Sequence, residues 1–245
     1  MSAREEIADI VAAARRQLLY DREIGLEAPY LSSRNRAYLE RGPHLNPLPS
    51  SGSVPYQSLS ELEHFIGDCH RCKLCKGRKH VVFGEGDPRA RLVFVGEAPG
   101  MDEDQTGRPF VGQAGRLLTD IIRAMGLTRD EVYICNIVKC HPPGNRDPEA
   151  DEIETCLPFL RAQISLIQPE VICSLGRISA QSLVDKSLKI TRDRGRWCSF
   201  MGIPLMPTYH PAYLLRYPQA KRQVWEDVQG IMKELGLANP REVQG

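Results

Sequence analysis

Eight cysteines in 245 residues are the first feature with chemical potential. Cys69-x-x-Cys72 has the spacing that lets two thiolates face one metal centre, which supplies half of a four-ligand site. Cys140, before a Pro-Pro loop, and Cys156, inside a helical pattern, are single thiols that spacing pairs only weakly with the first two. Cys75 extends the run to C-x-x-C-x-x-C and competes for the same role. All-thiolate ligation suits a tetrahedral zinc and a four-iron four-sulfur cluster alike. Cys135 and Cys173 lie within apolar strands, where free cysteine packs as a small core residue, and Cys198 reads as structural too.

A second set of residues suits an organic ligand. Leu92 to Val95 form an apolar run that breaks into Gly96-Glu97-Ala98-Pro99-Gly100, a turn that continues neither strand nor helix. In an open α/β sheet such a turn stands at the carboxyl end of a strand, where ligands bind. An acidic run (Asp102, Glu103, Asp104) and Gly107-Arg108-Pro109-Phe110 follow. Far downstream, His210-Pro211-Ala212-Tyr213-Leu214-Leu215-Arg216 follows another apolar run and is expected to face the first turn across a pocket. Asn136 lies inside the apolar VYICNIV segment, where an amide is costly unless a ligand or a network satisfies it. Taken singly, His210 reads as a satisfied structural histidine and Phe110 as core packing as readily as chemistry.

The elements that must carry these residues follow from periodicity. Ser58-x-x-Glu61 and Ser60-x-x-Glu63 are overlapping capping-box spacings ahead of a short helix that stops at Gly67. Strands are expected at 92–95, 132–138 and 171–175, with a hairpin at 197–200 and 203–206 whose second strand delivers His210. Helices are expected from 117 to 125, from about 148 to 167, from 178 to 183 and from 217 to 235. Strands alternating with helices argue for an α/β fold, a mostly parallel sheet covered on both faces. Residues 57–237 make this domain. Residues 1–56 form an N-terminal extension, an amphipathic pattern at 3–21 and then a Pro/Ser-rich linker, and 238–245 form a tail.

Composition narrows the class of partner only slightly. The chain is 42% hydrophobic and 26% charged, with a net charge of +1, so global charge makes no case for nucleic acid. Local clustering makes one. Residues 69–80 carry Arg71, Lys73, Lys76, Arg78 and Lys79 without an acid, and Lys186 to Arg196 holds five bases against Asp193. No apolar run of 18 residues and no signal-type start occur, so the expectation is a soluble cytoplasmic protein without a membrane partner. Without a secretory context, the cysteines point to metal rather than to disulfides.

The motifs in order resemble the family-4 uracil-DNA glycosylases, the iron–sulfur branch of the uracil-DNA glycosylase superfamily. The resemblance rests on Cys69-x-x-Cys72, Val82-Phe83-Gly84-Glu85-Gly86, Gly96-Glu97-Ala98-Pro99-Gly100, Thr106-Gly107-Arg108-Pro109-Phe110-Val111-Gly112, Asn136-Ile137-Val138-Lys139-Cys140 and the His210 heptapeptide. It covers roughly residues 65–236 and leaves the N-terminal extension out. It implies a three-layer αβα sandwich around a short, mostly parallel sheet. It also implies a 4Fe-4S cluster on Cys69, Cys72, Cys140 and Cys156, with Cys75 outside the ligand set. The implied activity is monofunctional: uracil is flipped out of DNA and its N-glycosidic bond is hydrolysed, releasing free uracil and leaving an abasic site for base excision repair.

The same resemblance assigns roles. His210 would stabilise the departing uracil, Asn136 would read its edge, Phe110 would stack on it, and the Ala98 backbone would contact it. Ala98 stands where the best-known branch has a water-positioning Asp, which leaves Glu97 and Glu103 as the available carboxylates. Glu97 would mainly brace the loop, and Glu103 would sit by the uracil C5 edge or hold water. Leu214 would wedge into the gap left by the flipped nucleotide, with Arg216, Arg192 and Arg194 on phosphates. The enzyme is expected to act as a monomer, with the N-terminal extension available to a replication or repair partner such as a sliding clamp. Two other readings compete: a related branch that traps its product covalently through a histidine in a basic insertion, and a non-catalytic DNA-binding iron–sulfur module. The interval between Cys140 and Cys156, HPPGNRDPEADEIET, lacks such an insertion, and both Asn136 and His210 are present.

Overall fold

The structure is a computed structural model that describes residues 56–238. The expected N-terminal helix and nearly all of the linker, like the tail from residue 239, lie outside the described residues.

Ser58 starts the described chain as foreseen. Its Oγ accepts the Glu61 amide at 3.1 Å, capping α1 (Leu59–Ile66), and Gly67 closes the helix. The sheet has six strands: β1 (Glu85–Gly86), β2 (Leu92–Gly96), β3 (Tyr133–Asn136), β4 (Val171–Leu175), β5 (Cys198–Phe200) and β6 (Ile203–Thr208). They run in the order β1-β3-β2-β4-β6-β5. The inner four are parallel, and the edge strands β1 and β5 pair antiparallel. Every residue of β2 and β4 is buried, as a parallel sheet covered on both faces requires.

The covering layers come from α2 (Met101–Thr106), α3 (Gln113–Ala124), α4 (Ala150–Ile167), α5 (Arg177–Leu183), α6 (Ile190–Asp193), α7 (Pro211–Arg216) and α8 (Lys221–Glu234). Phe94, Ile134, Cys173 and Met206 belong to one core cluster with Leu118 and Ile122 of α3 and Val228 and Ile231 of α8. On the opposite face, Ser179 of α5 donates to the Val95 carbonyl at 2.7 Å, and Gln163 of α4 donates to the Tyr133 hydroxyl at 3.2 Å. The result is the three-layer α/β architecture expected from the alternation of periods.

Three local differences have physical causes. The acidic run is a helical turn, α2, because Glu103 and Asp104 spend their carboxylates on backbone amides of neighbouring loops. β3 stops at Asn136, since the amides of Ile137 and Val138 turn onto the carbonyls of Gly96 and Glu97. The last helix starts at Lys221 rather than 217, behind a 3-10 turn at Pro218–Ala220, because proline cannot extend a helix backwards.

Candidate active site

The carboxyl ends of β2, β3 and β6 point the same way and open onto a pocket of about 530 Å³, a volume typical of small-ligand sites. From the turn after β2 come Glu97, Ala98, Pro99 and Gly100; from β3, Asn136; from α7 and its cap, His210, Ala212, Tyr213 and Arg216. Glu103, Phe110, Ala114, Pro142 and the segment Asn145-Arg146-Asp147 complete the wall. The two sequence stretches expected to face each other do so.

Asn136 is fully buried, and its Oδ1 has no hydrogen-bond partner among the described residues. An unsatisfied buried acceptor costs about 1–3 kcal/mol, so the fold holds this amide ready for something it does not itself contain. The Asn136 carbonyl, by contrast, is tied down: the buried Lys139 ammonium donates to it at 2.9 Å and to Gln163 Oε1 at 2.5 Å.

His210 caps α7 with its own ring. Nδ1 accepts the Ala212 amide at 3.1 Å, which leaves the proton of a neutral ring on Nε2. Burial, reinforced by the Arg216 charge, lowers its pKa to about 4, so the imidazole is neutral at pH 7. The ring centroid lies 5.6 Å from that of Phe110.

Phe110 is held in a backbone conformation that few side chains adopt, φ 52, at a position where such strain marks function. Arg129 grips its carbonyl at 3.0 Å and that of Pro109 at 2.8 Å, and Glu85 holds Arg129 at 2.5 Å. Two glycines make room. A Cβ on Gly115 would meet the Phe110 carbonyl oxygen at 1.9 Å, and one on Gly96 would meet Asn136 Oδ1 at 2.3 Å and the Phe110 ring at 2.5 Å. The Glu85–Arg129 clamp and the two glycines escaped sequence reasoning. Gly96 carried a signal only as a strand terminator.

Both carboxylates line the pocket, and their bonding differs. Glu103 is the brace: it accepts the amides of Gly100 (3.0 Å), Val111 (2.8 Å) and Gly112 (2.9 Å), fastening the β2 turn to the Phe110 loop. Glu97 lines the pocket, and burial, aided by the Asp147 charge and opposed by Arg177, pushes its carboxyl up to about 7.

The expected DNA contacts divide. Arg216 is exposed at the pocket mouth. Leu214 is a correction: it is 1% exposed and sits in the core cluster, beside Leu117 and Ile121 of α3 and Val224 of α8, while the α7 turn leaves Leu215 44% exposed. Arg194 is another correction, since its side chain is 14% exposed and bound to Asp227, itself 2% exposed, at 2.5 Å. Arg192 is exposed but folded back onto Asp193 at 2.7 Å. The first basic run is also largely paired within the protein, with Lys73 on Glu149 and Asp151 and Arg78 on Asp68.

Cys69, Cys72, Cys140 and Cys156 come together from α1's exit, the end of β3 and α4, and all four are free thiols. Cys140 and Cys156 each lie within electrostatic range of Cys69 and Cys72. Among the described residues no three His, Cys, Asp or Glu side chains converge as a single-ion chelate. Cys75 lies in the 3-10 turn Lys73–Lys76, its amide on the Cys72 carbonyl and its thiol within electrostatic range of Cys72, and Cys135 and Cys173 are core residues as expected.

Comparison with known proteins shows the family to which the chain belongs. The family model of the uracil DNA glycosylase superfamily matches residues 83–229. A protein of Sulfurisphaera tokodaii named type-4 uracil-DNA glycosylase is 45% identical over 193 residues, covering 75% of this chain and 87% of its own. Type-4 uracil-DNA glycosylases of Thermotoga maritima and Saccharolobus solfataricus are 48% and 46% identical over 168 and 179 residues, covering 67% and 69% of this chain and 88% and 83% of theirs.

Proposed function

The chain belongs to the uracil-DNA glycosylase superfamily, in its type-4 branch, and from that premise we propose how its pocket takes and cleaves the substrate. As a uracil-DNA glycosylase it acts on uracil in DNA and serves DNA repair. The observation that carries the finer reading is the unpartnered Asn136 Oδ1 in the pocket that Phe110 and His210 also line. Uracil's N3–H would supply the donor that Oδ1 lacks, while the amide nitrogen meets O4. Cytosine presents the opposite pattern and would leave both groups mispaired. The base must leave the helix stack to enter, and Phe110 offers it an aromatic face.

Cleavage puts positive charge on the sugar and negative charge on the leaving base. The neutral His210 donates from Nε2 to the uracil oxygen nearest the sugar, a hydrogen bond that strengthens as the base becomes an anion. The fixed tautomer supports this role, since the ring needs no protonation beforehand. The Ala98 backbone contacts the base. Glu97 would orient the attacking water, since Glu103 is engaged by three backbone amides, and its raised pKa makes that role titrate near neutrality. Beside Arg216, the exposed Leu215 replaces Leu214 as the side chain available to fill the gap left by the flipped nucleotide, with Arg216 on a phosphate.

The four thiols fit a 4Fe-4S cluster. They are gathered without disulfides, and burial raises Cys140 to about 12 and Cys156 to about 11, so that a bound cationic centre would be needed to hold them as thiolates. The bound cluster would tie α1's exit, β3's end and α4 together, ordering the loop behind Asn136 rather than performing redox chemistry. The reading includes a cytoplasmic monomer; a partner for residues 1–56 lies outside the described residues. Covalent trapping is disfavoured because the one histidine between Cys140 and Cys156, His141, has Nδ1 on the Pro99 carbonyl at 2.9 Å. The test is single-turnover base release from an oligonucleotide with one uracil. Wild type should release the base, and His210→Ala should lose about two to three orders of magnitude, the usual effect of removing one such donor. Equal rates would remove His210 from the mechanism.

A further inference from the structure

Arg78 is buried for no reason that the surrounding protein supplies. Its side chain is only 3% exposed, yet its Nη2 pairs with Asp68, whose side chain is 80% exposed. An ordinary surface pair of this kind would leave both partners in water. Instead Nη1 is buried with no hydrogen-bond partner. A guanidinium keeps all five of its N–H groups at any physiological pH, so it cannot escape this cost by losing its proton. The neighbours within its electrostatic reach are Cys140 and Cys69, members of the four-thiol group. Two other donors already address sulfurs of that group: Arg71 Nη1 reaches Cys69 Sγ at 3.2 Å, and the Lys139 amide reaches Cys156 Sγ at 3.3 Å.

We propose that Arg78 is a dedicated binding residue for the iron–sulfur cluster, donating its buried, unpartnered Nη1 to a cluster sulfur while Asp68 holds the other arm from the solvent side. The inference rests on the cluster reading above and deepens it. Four thiolates and four sulfides around iron carry net negative charge, and Arg78 places one fixed positive charge against it at the buried side. Its function is to hold the cluster in the protein and to raise its reduction potential. Loss of the charge makes the cluster harder to reduce and easier to strip.

The experiment uses the full chain purified without oxygen, as wild type, Arg78→Met, Arg78→Lys, Asp68→Asn and the exposed control Arg89→Met. Iron and sulfide are counted, the visible absorption is followed under chelator and oxidant, and the midpoint potential is measured. Arg78→Met should bleach about tenfold faster or more, the usual effect of deleting a group that supports metal ligands, and its potential should fall. Arg78→Lys should lie between it and wild type, Asp68→Asn should shift modestly, and Arg89→Met should match wild type. Wild-type bleaching and potential in the loaded Arg78 variants overturn the proposal and leave the cluster reading intact. If Arg78→Met does not fold, wild-type values in Arg78→Lys and Asp68→Asn overturn it equally. A wild-type chain without iron and sulfide overturns the cluster reading, and this proposal with it.

Discussion

Replacing Gly96 by Ala adds one methyl group at the point where the two base-contacting side chains meet. The new carbon would stand 2.3 Å from Asn136 Oδ1 and 2.5 and 2.7 Å from two carbons of the Phe110 ring. Ordinary contact begins near 3.4 Å, so one or both side chains must move by about 1 Å. Phe110 has little room to retreat, because Arg129 fixes its carbonyl and Gly115 abuts its backbone. Asn136 sits on β3 with its carbonyl held by Lys139, so its amide must rotate away from the reading position. Overpacking of this kind costs about 1–3 kcal/mol of stability, a tolerable amount for a folded domain. A misplacement of about 1 Å at the reacting centre costs about 100-fold in rate. Gly96→Ala is therefore predicted to remain folded by circular dichroism and thermal melting while single-turnover uracil release falls about 100-fold. Gly77→Ala, whose added carbon meets nothing within 4 Å, serves as the control. A folded Gly96→Ala protein that releases uracil at the wild-type rate would refute the geometry of the base site.

Glu97 gains its charge as pH rises through about 7, so uracil release should climb across that value, and Glu97→Gln should flatten the climb; an unchanged profile removes Glu97 from water activation. His210 is held neutral down to about 4, whereas an unfolded histidine takes its proton near 6.5; stability from the buried neutral ring is thus complete above roughly 6.5 and is lost as pH falls toward 4, a loss that His210→Gln should diminish in denaturant titrations. Arg194→Ala leaves Asp227 buried and unpaired, so thermal denaturation should show a loss of about 3 kcal/mol with little change in the salt dependence of DNA binding, while Arg216→Ala should do the reverse and shrink the salt slope by about one. Glu103→Gln replaces a carboxylate that serves three amides, and should lower stability by about 1–3 kcal/mol and raise proteolysis at the Phe110 loop.

Much of the fold was legible because its signals are local. Ser58 caps the helix it announces, β4 spans the apolar run 171–175, and strand ends deliver Asn136 and His210 to one pocket as ligand-binding turns in α/β sheets do. Contacts between distant segments were not legible. Nothing in the acidic run 102–104 says that Glu103 will serve amides at 111 and 112, or that Glu97 will be the carboxylate whose pKa is raised. Leu214 and Leu215 are identical letters, and only the direction of the α7 turn decides which one is core. Basic runs misled for the same reason: Arg194 meets its partner Asp227 thirty-three residues on, across the fold. The buried Lys139 and the unpartnered atoms Arg78 Nη1 and Asn136 Oδ1 are legible only once burial is known.

The central claim is that the unpartnered Asn136 amide reads uracil. Its most direct test is base release by wild type and Asn136→Asp on paired oligonucleotides that differ only in a uracil or a cytosine at one position. Aspartate keeps the shape and offers only acceptors, which suit the cytosine amino group and repel uracil O4. The account predicts that wild type releases uracil alone, and that Asn136→Asp loses most uracil release and acquires measurable cytosine release. Wild-type uracil release by Asn136→Asp, with no gain on cytosine, would contradict it.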